Sequence, residues 1–401
     1  MPNIAIPFSP PDIRQCDIDE VAAVLRSGWI TTGPVTKQFE SDVAQLCGAE
    51  RAVALNSATA GLFLALKLFG ISHGDEVIVT SYTFAATANV ILQVGATPVL
   101  CDINPDNFAI NYDEIDRRIT PRTKAIISVD YGGLPVDYDR INAIIESHKS
   151  VYSPTADTWQ TRLGRMLFIS DCAHSLGAVY KGENVGHQAD ISVFSLHAVK
   201  NLTTAEGGLA TFMQIGDISA DEIYQRLQLL SLHGMNKDAL AKYKNNSWEY
   251  DILTPGYKYN MTDTLAALGA SQLKRYDEIL RRRADITSLY QKMFAGTRIH
   301  CPLSDTADCI GSHHLMPVQI EGCDEQQRNE IIARMAEQGI AVNVHYKPLP
   351  MFTLYRNLGF NIADYPNAYN RYHNLITLPI YPQLTDEQVN MVCDNLKKIT
   401  D

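Results

Sequence analysis

In the stretch VFSLHAVKNLTTAEGG (193–208), Lys200 has no Asp, Glu, Lys or Arg within five positions on either side. A surface lysine keeps its ammonium in water, usually among other charges. One set among small, polar and apolar residues is a candidate amine nucleophile. Asp171 ends an apolar run, Leu-Phe-Ile-Ser-Asp, and Cys-Ala-His follows it, so a carboxylate and His174 share one loop. A carboxylate at the end of an apolar strand is partly desolvated and needs a donor or a cation. Residues 56–60, Asn-Ser-Ala-Thr-Ala, open a helix-like run with small and hydroxyl side chains. Free N–H groups and the helix dipole there favour a phosphate, although this is also the composition of an ordinary N-cap. Taken singly, each feature has a plainer reading: a cap, a strand-end Asp, a core histidine, a solvated lysine. Taken together they fit pyridoxal phosphate, which needs a Schiff-base lysine and an acidic partner for its pyridinium nitrogen.

The elements that must position these groups alternate along residues 51–212. Short β-rich runs at 52–55, 76–79, 97–101, 124–129, 166–170 and 190–194 are separated by helical patterns, including one over 83–95. Strands alternating with helices predict an α/β domain around a largely parallel sheet. Ligands of such sheets collect beyond the carboxyl ends of the strands, and the loops 56–60, 171–175 and 195–200 each follow a β-rich run directly. The charged stretch 262–295 predicts one long connecting helix. Strands at 315–320 and 341–346 and helices at 325–338 and 385–400 then predict a smaller C-terminal α+β domain. Residues 148–165 form a polar, aromatic excursion to which the sequence assigns no role.

Composition narrows the function classes. The chain has 401 residues, 46% hydrophobic and 20% charged, with a net charge of −11. An acidic chain without a basic segment is not expected to bind nucleic acid. No apolar run approaches the length of a membrane span, and the first residues do not read as a signal peptide. The eight cysteines contain no C-x-x-C pair, so no metal site and no disulfide framework is expected. The expectation is a cytoplasmic protein with reduced thiols.

Nine blocks, in order, resemble the DegT/DnrJ/EryC1/StrS family of nucleotide-sugar aminotransferases. They are SGWITTGPVTKQFE (27–40), NSATAGLFLAL (56–66), GDEVIVTSYTFAATANVI (74–91), GATPVLCDI (95–103), ISDCAHSLGA (169–178), FSLHAVKNLTTAEGG (194–208), GYKYNMTD (256–263), VHYKPL (344–349) and LPIYPQLTDEQV (378–389). The resemblance implies the aspartate-aminotransferase architecture (fold type I), with a mainly parallel seven-stranded sheet. It divides the chain into a large cofactor-binding domain, 1–275, and a small domain, 276–401. It implies pyridoxal 5'-phosphate as cofactor, L-glutamate as amino donor, a nucleotide-linked ketosugar as acceptor, and a homodimer with shared active sites. By position, Lys200 is the Schiff-base lysine and Asp171 the partner of the pyridine nitrogen. Phe84 stacks on the ring, and Ala58, Thr59 and Ser195 bind the phosphate. His174 sits near the phenolic oxygen, and Lys258 reaches the phosphate from the neighbouring subunit. Weaker analogy offers Thr32 in the loop 29–34, His313 beside His314, and His345 for the substrate.

The wording AVKNLTTAEGG and TPGYKYNMTD resembles the branch that aminates C4, of the UDP-4-amino-4-deoxy-L-arabinose type. Three departures stand out. The family's GYNYR-type loop reads Gly-Tyr-Lys-Tyr-Asn, Pro350 replaces a frequent histidine, and 148–165 is long. Without an arginine at Asn260, the holding of a substrate carboxylate is open. Among competing readings, a sugar dehydratase of this family would carry histidine in place of Lys200. A nicotinamide enzyme would need G-x-G-x-x-G where Asn-Ser-Ala-Thr-Ala stands. Another fold-type-I enzyme, or a catalytically lapsed cofactor-binding regulator, remains as the alternative; a regulator would need an added basic helix-turn-helix, and none is visible.

Overall fold

A computed structural model describes residues 5–237 and 248–400. Seven strands form its main sheet: Arg51–Leu55 (β1), Glu76–Thr80 (β2), Thr97–Cys101 (β3), Thr123–Val129 (β4), Leu167–Asp171 (β5), Ile191–Ser195 (β6) and Gly208–Phe212 (β7). Their order is β1-β7-β6-β5-β4-β2-β3. Pairing is parallel from β3 through β6, and β7 alone runs against both of its neighbours. A sheet covered on both faces reads as near-continuous apolar runs. Val77, Val79, Ile127, Ile169 and Val193 accordingly enter one core, while Ile78, Ile126, Phe168 and Phe194, one residue out of step, enter the other.

Helices Gln15–Ser27 (α1) and Pro34–Leu46 (α2) precede the sheet. Ala58–Leu68 (α3) follows β1, and Ala85–Gln93 (α4) follows β2. α3 is apolar nearly all round because the first core encloses it. The predicted helix over 262–295 is in fact two, Asp263–Leu273 (α5) and Tyr276–Phe294 (α6). Arg275, at the break, sends its guanidinium back to Asp12 and Asp17, and the Tyr276 hydroxyl donates to the Leu176 carbonyl at 2.8 Å. These anchors turn the chain where periodicity alone would continue it.

A second, antiparallel sheet holds Ile299–His300 (β8), Met316–Ile320 (β9) and Leu375–Leu378 (β10). Glu325–Glu337 (α7), Asp386–Thr400 (α8) and the end of α6 cover it in a third core. Residues 341–346, read as a strand, make a single bridge between Asn343 and Thr377; the third strand is β10 instead. The excursion 148–165 contains a short helix, Trp159–Leu163. It lies at the amino ends of the strands: the Lys124 ammonium, at the start of β4, donates to the Pro121 carbonyl at 2.7 Å and to the Ser153 carbonyl.

Asp263, at the start of α5, fastens the turn that begins α2. Its carboxylate accepts from the N–H groups of Gly33 (2.7 Å), Thr36 (3.0 Å) and Val35 (3.2 Å), and from the Thr36 hydroxyl (2.6 Å). Asp263→Ala leaves these donors orphaned in a buried place, so it is expected to destabilise by about 3 kcal/mol. Asp263→Asn, which keeps one acceptor, should lose less. Urea denaturation of the two variants checks the order.

Candidate active site

β1, β5 and β6 point their carboxyl ends the same way, and the three loops that leave them meet around a cleft of about 340 Å³. Ser57, Ala58 and Thr59 supply one wall, Asp171 and His174 the floor, and Ser195 and Lys200 the opposite wall. Phe84 overhangs it with 62% of its surface exposed. His345 and Tyr346 enter from beyond the second sheet. The structure thus brings Ala58, Thr59, Phe84, Asp171, His174, Ser195, Lys200 and His345 to one place.

Local sequence explains each position. Ser57 caps α3, its hydroxyl accepting from the Ala60 N–H at 3.1 Å. The N–H groups of Ala58 and Thr59 then have no intrahelical acceptor, as in any first turn. Behind them the backbone of Gly208 is pressed so close that a Cβ would lie 2.3 Å from the Ser57 carbonyl carbon and 2.4 Å from the Ala58 nitrogen. Only glycine fits against this cradle.

Asp171 is buried, and burial raises its pKa above the usual carboxylate value. The Thr87 hydroxyl donates to its Oδ2 at 2.8 Å and the Ala173 N–H to its Oδ1 at 3.1 Å, opposing that rise together with the Lys200 charge. Thr87 belongs to α4, three residues after Phe84. Among the described residues Lys200 has no salt-bridge partner. Desolvation drives its pKa down to about 8, against the pull of Asp171, so a free amine is within reach near neutral pH.

Three imidazoles cluster beside the lysine. His174 accepts at Nδ1 from the Gly132 N–H (3.2 Å), and its Nε2 lies 3.1 Å from the Tyr346 hydroxyl. The His314 ring sits 4.4 Å from that of His174, with Nδ1 2.9 Å from the Asn201 Oδ1. Asn201, next to Lys200, donates its amide to the Ser312 carbonyl at 2.8 Å. Burial, then the charge of Lys200, holds His174 well below its ordinary value and His345 at about 4. His314 is held low by burial first, then by His174 and Lys200. Beneath the loop, buried Asp130 accepts from the hydroxyls of Ser175 and Tyr138, both at 2.6 Å, and from the Val136 N–H at 3.1 Å. Thr87, Asn201 and Tyr346 were not singled out by the sequence reading. All three lie inside the recognised blocks, but only the folded chain turns them to the site.

Other expected residues lie elsewhere. Thr32 donates to the Met261 carbonyl and accepts from the Asn260 amide at 2.6 Å, while Lys258 donates to Asn260 at 2.7 Å. These three form one cluster that does not line the chain's own cleft. His313 has a left-handed backbone, φ 52°, which sends its ring away from that of His314. It lies 3.4 Å from Asp305 and lines a larger cavity of about 660 Å³. No lysine or arginine lines that cavity, so the smaller cleft, with its ammonium and buried carboxylate, is the candidate site. The residues of the cleft fit pyridoxal phosphate: an anion cradle that a Cβ would fill, a buried acid and an uncompensated lysine.

The neutral histidines carry a pH signature. Each has a folded pKa below the unfolded value of ~6.5, so unfolding takes up protons once the pH falls below that value. Stability is then lost by up to about 1.4 kcal/mol per pH unit for each histidine. Asp130, pushed up to about 6 by burial, acts in the opposite sense between its folded and unfolded values. His314→Gln is expected to flatten the acid limb of urea-denaturation stability by about one proton between roughly pH 6 and 5. An unchanged slope would show that His314 is protonated in the fold.

Comparison with known proteins agrees with this geometry. The model of the DegT/DnrJ/EryC1/StrS aminotransferase family matches residues 11–397. The spore coat polysaccharide biosynthesis protein SpsC of Bacillus subtilis is 38% identical over 406 aligned positions, covering 99% of this chain and 97% of SpsC. Among solved structures, Spr1654 of Streptococcus pneumoniae, assigned as a sugar aminotransferase, is similar in its PMP form with TM-score 0.95 and 48% identity over 98% of this chain and 99% of that one. PseC of Helicobacter pylori, an aminotransferase of pseudoaminic acid biosynthesis, follows with TM-score 0.86 and 30% identity over 98% and 99%. The chain therefore belongs to the DegT/DnrJ/EryC1/StrS aminotransferase family and is a pyridoxal-phosphate-dependent aminotransferase of fold type I.

Proposed function

We propose that this enzyme moves an amino group from L-glutamate to the keto carbon, C4, of a nucleotide-linked sugar, in the cytoplasm, as a homodimer making amino sugars for lipopolysaccharide or another surface polysaccharide. The observation that carries the proposal is the convergence of Lys200, Asp171 and the α3 amino end on one cleft. The names of SpsC and PseC support a sugar destined for such products. The choice of C4 rests on the wording of the lysine and 254–263 loops.

Pyridoxal phosphate, when bound, supplies an electron sink for the carbon that loses its proton. The chain's residues do the rest. Lys200 would hold the cofactor, and as a free amine it would be the base that carries the proton, a role its lowered pKa suits. Asp171 would keep the pyridine nitrogen protonated, and that cation would answer the cost of burying the carboxylate. Ala58, Thr59 and Ser195 hold the phosphate, and Phe84 keeps the ring flat. His345 lies on the substrate side. Lys258, clustered with Asn260 and Thr32 away from its own cleft, serves the neighbouring subunit. An exposed apolar stripe of Ile13, Ile18 and Leu25 lies against Ala198 and Ala205 of the lysine loop and supports a second copy as its cover.

The absorbance of the purified protein, before and after L-glutamate, tests the reading. The wild type should show a lysine-bound cofactor band that glutamate removes and the correct ketosugar restores. Lys200→Ala should lack that band and turn over at least about a thousandfold more slowly. A band insensitive to glutamate refutes the donor, and an active Lys200→Ala refutes the assignment of the lysine.

A further inference from the structure

Many polar groups around the cleft are engaged with one another, and tracing their protons shows which donors remain for a ligand. The Gly132 N–H points at His174 Nδ1, so that nitrogen carries a lone pair. A neutral imidazole with Nδ1 as acceptor has its proton on Nε2. That proton is donated to the Tyr346 oxygen at 3.1 Å, and both nitrogens of His174 are spent within the protein. His345 Nδ1 lies 3.1 Å from the Thr377 hydroxyl. Asp171 only accepts. Tyr346 is different: its oxygen accepts from His174, and among the described residues no acceptor meets its own O–H.

The ring of Tyr346 is fixed on several sides. It stands 6.0 Å from Phe84, 6.3 Å from Tyr131 and 6.1 Å, nearly parallel, from His174. Its backbone is anchored through the preceding carbonyl, to which the hydroxyls of Tyr82 and Tyr131 both donate. The hydroxyl is therefore a positioned donor without an acceptor, at the end of the cleft where Asp171, His174 and Lys200 converge.

We propose that Tyr346, its oxygen held by His174, donates a hydrogen bond through its hydroxyl to an acceptor oxygen bound at the Lys200 end of the cleft. This rests on the assignment of the cleft as the cofactor site. It makes Tyr346, not His174, the residue in contact with that oxygen, and gives His174 the part of positioning the phenol. Burial, followed by the charge of Asp171, raises the phenol pKa above its ordinary value, so Tyr346 serves as a donor and not as a base. Two oxygens have the required chemistry: the phenolic oxygen of the cofactor and the keto oxygen of the acceptor sugar.

The test compares Tyr346→Phe with the wild type, both loaded with pyridoxal phosphate, by titrating the absorbance of the lysine-bound cofactor against pH and by timing each half-reaction. The band in the wild type establishes that the cleft holds the cofactor; the difference between the two proteins judges the inference. If Tyr346 bonds the cofactor, losing the donor leaves its oxygen more basic, and the titration moves up by about one unit or more. If the titration is unchanged but the sugar half-reaction alone slows by about tenfold or more, the bonded oxygen is the sugar's. If neither changes, the inference is overturned. Replacing His174 with Phe in the Tyr346→Phe background separates the roles. A positioning His174 adds no further shift once the phenol is gone, whereas a further shift would show His174 itself at the oxygen.

Discussion

Burying the Asp171 carboxylate is the constraint on which the rest of this site turns. A charge at the end of an apolar strand is costly unless its surroundings answer it, and here they do so partially. One hydroxyl from α4 and one N–H from its own loop satisfy two directions. Lys200 adds a field but no contact, and the pKa stays raised. The site is thus built with a standing demand for a cation beside Asp171. A protonated pyridine ring would meet that demand, so holding the cofactor as proposed would offset a cost already present in the protein.

The same economy explains the histidines. Rings packed 4.4 Å apart cannot both be charged, and the Lys200 ammonium is close enough to disfavour protonation of each. Neutral imidazoles have one donor and one acceptor, which makes their hydrogen bonds directional. Gly132 and Asn201 then decide which nitrogen bears the proton. Much of the cleft's order comes from the choice of tautomer.

How much of this was legible in the sequence depended on the range of the interactions involved. The β-rich runs and the three loops after β1, β5 and β6 could be read because burial on both faces and strand-end position are local properties. The isolation of Lys200 was visible for the same reason. Tyr346 was not, because its meaning depends on an imidazole 172 positions earlier in the chain. The break between α5 and α6 was missed because charged contacts to Asp12 and Asp17 override a continuous helical pattern. His313 and His314 were read as a pair, yet with the left-handed backbone at His313 its ring lines the larger cavity while that of His314 packs on His174. Thr32 was linked to the substrate by its block alone; in the fold its hydroxyl donates to the carbonyl of Met261, a contact 229 positions away in the chain.

Gly132 stands between the larger cavity, which it lines, and His174, which lines the smaller cleft. It has a left-handed backbone, φ 67°, and a Cβ there would stand 2.4 Å from Leu303. Its N–H meanwhile sets the proton of His174. Any L-residue would at once strain the turn, collide with the far wall and disturb the catalytic face. Over evolutionary time such a position cannot drift by small steps. Gly133 beside it is held as tightly, with φ 95° and the Ser312 Oγ 2.2 Å from where a Cβ would stand, so this turn has room for a side chain at neither position.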